Sequence, residues 1–461
     1  MTRSDPPVAQ PFRAAIAGLK ACATIAQRLL VPCLIAGHSS VAFSQIARPE
    51  VREPLQLGAL QREAGAADAR TREIDVLARQ TDLRLRGIDV ERLPWVSALG
   101  QSQYQSDAAT APFNTPTGQP AFAAPTFTYD ASFRVDQRLY DAAIQPRRDL
   151  ARADLAESQA RVRTALFALR QEVNDAFFTA ALLQEQLGAL TATLDDLEGR
   201  LSEMTTRVRE GAALPGEAAA IEATLLQQRQ QADALRSSRR AALARLALLT
   251  GRSIDPDAAI ALPEVADRLS RGRETLLGGR ARPEFEQFDR ARDRVTRQQA
   301  VAKAADRPQL SAFGRGGFGR PGLNFASDRP EAYALAGVQL QWKAWTWGSA
   351  DRERDVLALQ HTIVSAEAAA FTSALRRAAQ ADLAAIDHLE AALPTDDRIV
   401  ALREGIDRTA RVRLSEGVIT ASEYLDRHAE WLTAQFERAR HRVELAQARA
   451  RVLTTLGWEV Q

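Results

Sequence analysis

Few residues of this 461-residue chain have the type and spacing that chemistry needs. His38, His361, His388, His428 and His441 have no metal-ligand spacing, and His428 and His441, thirteen apart, read as solvated helix residues. Two cysteines, Cys22 and Cys33, are too few for a disulfide framework or a Cys-based zinc site. Gly314-Arg315-Gly316-Gly317-Phe318-Gly319 is glycine-rich, but no βαβ context surrounds it, so it does not read as a phosphate loop. No nucleophile–base constellation appears, and the expectation is a non-enzyme without a cofactor or metal. The remaining candidates are carboxylates. Glu423 and Asp426 stand three apart on one helix face, six and nine residues after Gly417. Glu217 stands six after Gly211, with Ala220 at the ninth place. Such groups are either ordinary solvated charges or, if symmetry crowds them, a ring that draws cations and resists anions.

Composition narrows what could position them. Sixty Lys+Arg against 58 Asp+Glu, a net charge of +2, lacks the basic surplus of a nucleic-acid protein. Eighty-eight alanines, roughly one residue in five, favour long helices. Arg13, Lys20 and Arg28 precede an apolar run at 29–37, and Ala42 and Ser44 are spaced like a signal-peptidase site. Residues 1–44 therefore read as a secretory signal. Both cysteines fall inside it. No later segment has 18 consecutive apolar residues, so any membrane span must be a β-barrel.

The sequence is written twice. Pro94-Trp95-Val96-Ser97-Ala98-Leu99-Gly100 matches Pro308-Gln309-Leu310-Ser311-Ala312-Phe313-Gly314 at an offset of 214. Leu139-Tyr140-Asp141-Ala142-Ala143 matches Ala344-Trp345-Thr346-Trp347-Gly348 at 205. Arg207-Val208-Arg209-Glu210-Gly211 matches Arg413-Leu414-Ser415-Glu416-Gly417 at 206, as does Leu249-Thr250-Gly251 with Thr455-Leu456-Gly457. The first repeat is placed at 45–251, a connector at 252–280 and the second repeat at 281–461. Each holds a leading helix (62–92 in the first), two strands and two long helices. Strands are expected at about 95–104, 126–138, 309–318 and 333–343. Helices are expected at about 142–210, 217–250, 349–416 and 421–456, with a kink or break at Pro394. Phe127, Tyr129, Ala131, Phe133 and Val135 alternate with polar residues, as do Ala334, Ala336, Val338, Leu340 and Trp342. Apolar residues would face lipid and polar ones a lumen. Leu155, Val162, Leu166, Leu169 and Val173 follow coiled-coil-like steps.

Four strands cannot close a barrel, so strands must be pooled between subunits. The duplicated order of strand, Leu-Tyr-Asp-like junction, long helix, Arg-x-x-x-Gly turn, return helix and closing Leu-x-Gly resembles the TolC family of outer-membrane efflux proteins. The resemblance covers nearly all of the chain after the signal. It implies a mainly α fold with a membrane β-barrel portion. It also implies a homotrimer whose hairpins form a 12-stranded barrel above a periplasmic α-helical tunnel. The function implied is a passive duct of a tripartite efflux or type I secretion system in the outer membrane of a Gram-negative bacterium. Its partners would be a periplasmic adaptor, an inner-membrane pump of RND or ABC type and outer-membrane lipids, with no nucleic acid.

By the same resemblance Glu423 and Asp426 line the periplasmic gate. Some members latch that entrance with a Tyr three before the Gly and an Arg two after it; here Leu414 and Ile419 stand there. Thr420 and Ser422 offer hydroxyls to cap the return helix instead. The turns carry the adaptor-contact candidates Arg207, Gly211, Glu217, Arg413 and Gly417. Tyr140, Trp342, Trp345 and Trp347 are candidates for a membrane-interface belt. Phe313, Phe318 and Phe325 with Arg315, Arg320 and Arg329 would sit near the outer tip, at the exit or against lipopolysaccharide. A periplasmic adaptor or coiled-coil scaffold is the alternative reading.

Overall fold

A computed structural model describes residues 53–460 apart from 108, 111, 112, 114, 119–123, 267, 268, 270–280 and 325–328. The expected signal, part of the connector and Phe325 lie outside the described residues. In chain order the elements are α1 (Leu57–Ala67), α2 (Thr71–Val90), β1 (Trp95–Tyr104), β2 (Phe127–Asp141), α3 (Ile144–Arg209) and α4 (Pro215–Thr250). They continue with α5 (Pro283–Ala305), β3 (Gln309–Arg320), β4 (Glu331–Gln341), α6 (Ser349–Ser415) and α7 (Ala421–Leu456). The chain is mostly helical with one small antiparallel sheet. One sequence expectation is corrected. The helix placed at 62–92 is two helices, because Asp68 leaves helical geometry and accepts the Arg70 backbone N–H at 2.8 Å. Arg70 also brings its guanidinium onto Asp68, and these bonds lower the Asp68 carboxyl to about 2. No break occurs at Pro394, which lies inside α6. Proline removes one rung of helix hydrogen bonds, but α7 clamps α6 on both sides of it. Arg449 pairs with Glu390 at 2.6 Å, and His441 with Asp396 at 2.7 Å.

The duplication is visible element by element. Helices α3 and α6 have 66 and 67 residues, and α4 and α7 have 36 each. At 1.5 Å per residue the longer pair reach about 100 Å. The sheet order is β1-β2-β3-β4, so the two hairpins join through β2 and β3 and leave β1 and β4 as edges. Its burial is inverted relative to a water-soluble sheet. Phe127, Phe133, Val135, Val338 and Leu340 are all exposed, while Ser132 is buried on the opposite face. There Asp130 is bonded by Arg315, Tyr333 and Ser132, and Arg134 lies over the Phe313 ring. The glycine-rich run is strand β3. A Cβ at Gly317 would stand 2.6 Å from the Ser132 Cβ and 2.9 Å from the Tyr333 ring, so small residues make room for this polar face.

The strand–helix junction is fixed by charge. Arg138 pairs with Glu91 at 2.6 Å and Asp141 at 2.9 Å, and Arg147 also reaches Glu91 at 2.8 Å. Asp141 then accepts the Ala143 N–H at 2.8 Å, where α3 starts. Halfway along the helices a core joins α1, α3, α4, α6 and α7 around Phe177, Phe178, Leu246 and Leu453. Inside it Gln61 donates to Asn174 at 2.6 Å and Asn174 donates to Thr454 at 3.1 Å. Asn174→Ala leaves the buried Gln61 amide without its acceptor, which costs about 1–3 kcal/mol. A lowered urea midpoint against the parent checks this; an unchanged midpoint removes the polar chain from the account of this core.

Candidate functional site at the helical tip

The candidate site lies where the long helices reverse, farthest from the sheet. Both turns have the same backbone. Gly211 and Gly417 have φ of 75° and 74°, a left-handed geometry that glycine adopts without strain. Ala212 N–H bonds Arg207 O and Val418 N–H bonds Arg413 O, each at 2.8 Å. The return helices then start differently. Pro215 opens α4, with Glu217 in its first turn. Thr420 caps α7: its hydroxyl accepts the Glu423 N–H at 3.3 Å, and the Glu423 carboxylate accepts the Thr420 N–H at 3.2 Å. This reciprocal box satisfies two of the free donors at a helix start. Ser422 takes no part in it.

Glu423 and Asp426 are both exposed. They line one side of a groove of about 540 Å³ between α6 and α7, with Arg413, Arg427, Leu402 and Ile406. The structure therefore brings the two gate candidates together, and it engages only Glu423 in backbone bonding.

The two arginine candidates part company. Arg207 donates to the carbonyls of Leu414 at 2.8 Å and Ser415 at 3.2 Å, where α6 ends. A cation there meets the negative helix end, and at Leu414 it shares a carbonyl that also accepts the Gly417 N–H at 3.0 Å. It also lies over Gly417, where a Cβ would stand 3.1 Å from its guanidinium. Arg413 is exposed on the groove.

Beside this tie is a buried polar cluster that sequence reasoning missed. Tyr424 is fully buried and donates to Asp196 of α3 at 3.0 Å. Arg411 reaches Asp196 at 3.1 Å and Asp407 at 2.8 Å. His428, expected to be solvated, is buried, with Nδ1 3.1 Å from Asp407. Asp407 and Arg411 on α6, and Tyr424 and His428 on α7, are each four apart and share a helix face; Asp407 and the rings of Tyr424 and Trp431 cover His428 and remove it from water. Burial raises the Tyr424 hydroxyl, and the nearby Asp196 charge raises it further. Burial alone would raise the Asp407 carboxyl; the bonds from His428 and Arg411 outweigh it and hold it below the usual carboxylate range. One signal was available: Tyr424 is one of five tyrosines in the chain, and it heads an i, i+4 pair with His428.

At the other end, Trp342, Trp345, Trp347 and Tyr140 are all more than half exposed. Trp342 donates its indole N–H to Asp306 O at 3.0 Å, and Trp345 meets Trp347 edge-on at 5.8 Å. Phe313 and Arg315 lie on the polar face of the sheet, while Phe318 lies on the apolar side. Among the described residues no group of three metal-binding side chains occurs, and no helix is long and apolar enough to cross a membrane.

Residues 65–252 match the profile of a family described as outer membrane efflux protein. In fold the chain is similar to the outer-membrane channel OprN, with a TM-score of 0.63 at 18% identity over 87% of this chain and 89% of that one. It is similar to the outer membrane protein VceC of Vibrio cholerae, with 0.63 at 14% identity over 88% and 97%. The outer membrane channel CmeC of Campylobacter jejuni gives 0.61 at 15% identity over 94% of each chain. No curated protein matches it in sequence.

The Asp407 shift has a defined sign. Its folded pKa lies below the unfolded one, so its contribution is complete above the ordinary carboxylate value of about 4 and is lost as pH falls through the folded value. Asp407→Asn therefore lowers the thermal midpoint at pH 7, since losing a carboxylate that buried donors bond costs about 1–3 kcal/mol. The gap from the parent closes below about pH 4. Circular-dichroism melts between pH 7 and 3 measure it, and a pH-independent gap would contradict the charge assignment.

Proposed function

We propose that this chain belongs to the outer membrane efflux protein family and, seated in the outer membrane and reaching into the periplasm, is the exit duct of a tripartite efflux or type I secretion system. The observation that carries the reading is the inverted sheet, with apolar side chains outward and a hydrogen-bonded polar face inward, set above two long helical hairpins. Two open edges in lipid would leave backbone groups unpaired. Pooling the hairpins of three chains gives twelve strands and removes every edge, as in bacterial barrels of even strand number. The helices of the same three chains would enclose a periplasmic tunnel. Trp342, Trp345, Trp347 and Tyr140 supply amphipathic rings at the membrane boundary.

The duct does no chemistry and draws its energy from a pump. Glu423 and Asp426 from three chains would place six carboxylates around one constriction, a ring selective for cations. The exposed turns are the adaptor surface. Arg207 is already spent on α6, so Gly211, Glu217, Arg413 and Gly417 with the exposed Leu214 and Val418 remain for that contact. The adaptor alternative finds no support, because two duplicated hairpins with amphipathic strands have no use in it.

Two measurements test the reading. A heat-modifiable trimer should be extracted from the outer-membrane fraction by detergent; recovery only from the soluble periplasm overturns the duct. In planar bilayers, Glu423→Gln with Asp426→Asn should lower cation selectivity and divalent-ion block. Gln preserves the capping bond, so the change reports charge rather than helix fraying. Unaltered conductance, selectivity and block would remove the gate.

A further inference from the structure

Between β4 and α6 the chain runs through Trp342-Lys343-Ala344-Trp345-Thr346-Trp347-Gly348 without regular structure. Its three tryptophans are 59%, 74% and 80% exposed. Trp347 has φ of 51°, a left-handed geometry that disfavours a bulky residue, and Gly348 follows at 71°. Arg352 holds the turn by donating to the Trp347 carbonyl at 2.9 Å. The turn sets the Trp347 ring edge-on to Trp345 and leaves both open. Backbone strain kept in order to display apolar rings, not to bury them, fits a ligand outside the chain.

Cations gather at the same place. Trp342 donates its indole N–H to the Asp306 carbonyl at 3.0 Å, and Gln341 pairs with Gln309, so the ends of α5 and β4 form one surface. Lys303 stands three residues before that carbonyl, Arg307 one after it, and Lys343 directly after Trp342. All three are exposed, and none forms an ion pair among the described residues. The Asp306 carboxylate stands against them, while on α6 Asp351 is already held by Arg354. The residue type is particular too. The chain has 60 Lys+Arg but three lysines, and past the expected signal only Lys303 and Lys343 remain. An arginine fork suits flat carboxylate partners within a protein, whereas lysine is a compact charge on a flexible stem. That stem can lie along apolar surface while the ammonium reaches a polar layer.

We propose that this junction binds the headgroup phosphates of anionic phospholipid in the periplasmic leaflet of the membrane. Trp345 and Trp347 enter among the headgroups, where amphipathic rings settle. Lys303, Arg307 and Lys343 face the phosphates. Zwitterionic headgroups answer their phosphate with their own ammonium, so the surplus of cations selects the anionic class. The occupant is phospholipid and not the lipopolysaccharide of the outer surface, because every helix joined to a strand leaves the sheet at this end. The inference rests on the outer-membrane duct and adds the lipid chosen at its inner rim. Each basic side chain near an anionic surface strengthens binding about fivefold, and salt screens the effect.

The full chain, extracted in detergent and reconstituted in vesicles, carries its own reporter. Of its six tryptophans, Trp95, Trp342, Trp345 and Trp347 lie at or just beyond strand ends, while Trp431 meets His428 and Trp458 packs on the helical core. Bromine on a lipid chain quenches an indole that it touches. Brominated phosphatidylglycerol should quench with an apparent affinity about fivefold or more above that of brominated phosphatidylcholine, and high salt should reduce the preference. Lys303→Gln with Arg307→Gln and Lys343→Gln should abolish the preference and keep the quenching by phosphatidylcholine. Lys303→Arg with Lys343→Arg should keep both, which separates charge from fold. Equal quenching of the parent by the two lipids overturns the headgroup site and leaves the duct standing. A preference that survives in the triple variant overturns the assignment to these cations. Quenching by neither lipid takes the rings out of the bilayer and overturns the duct and the inference together.

Discussion

Backbone groups in hydrocarbon have no water to turn to, so each strand edge there needs a partner. The sheet of this chain satisfies its inner edges through the β2–β3 register and leaves β1 and β4 without one. Much of the molecule follows from that constraint. The apolar side chains stand exposed on the face opposite the polar one, the arrangement that a lipid solvent would favour. The polar face tolerates Asp130, Arg315 and Tyr333 because they bond one another. The helices that continue from the strands inherit the same incompleteness, with apolar stripes on α2, α4 and α6 that nothing in one chain covers.

Some of this architecture was legible before the fold was seen, for reasons visible in single residues. Phe127, Tyr129, Ala131, Phe133 and Val135 alternate with period two, and that alternation lies in β2. The long α3 is legible because no proline stands between Pro146 and Pro215. The α1–α2 break was not, because Asp68 acts through a side chain that looks like any other charge in that stretch. At Pro394 the helix runs on without a break, and the contacts that flank it come from α7, some fifty residues on. The tip cluster was hidden for the same reason. Asp196, Asp407, Arg411, Tyr424 and His428 come from three helices, and each alone reads as a solvated residue.

That cluster also bears on how Glu423 and Asp426 differ. Glu423 bonds the start of α7, where backbone N–H groups and the positive helix end partly neutralise it. Asp426 lies one turn farther along the groove and makes no such bond to the helix start, so more of its charge is left to the groove. The position of both is set from behind, since Tyr424 and His428 on the opposite face of α7 hold it against α3 and α6. Were the two carboxylates gathered with like charges, a helix free to roll would relieve the repulsion by turning them away. The buried bonds of Tyr424 and His428 resist such a roll, so the direction in which Glu423 and Asp426 face is set by the other side of α7.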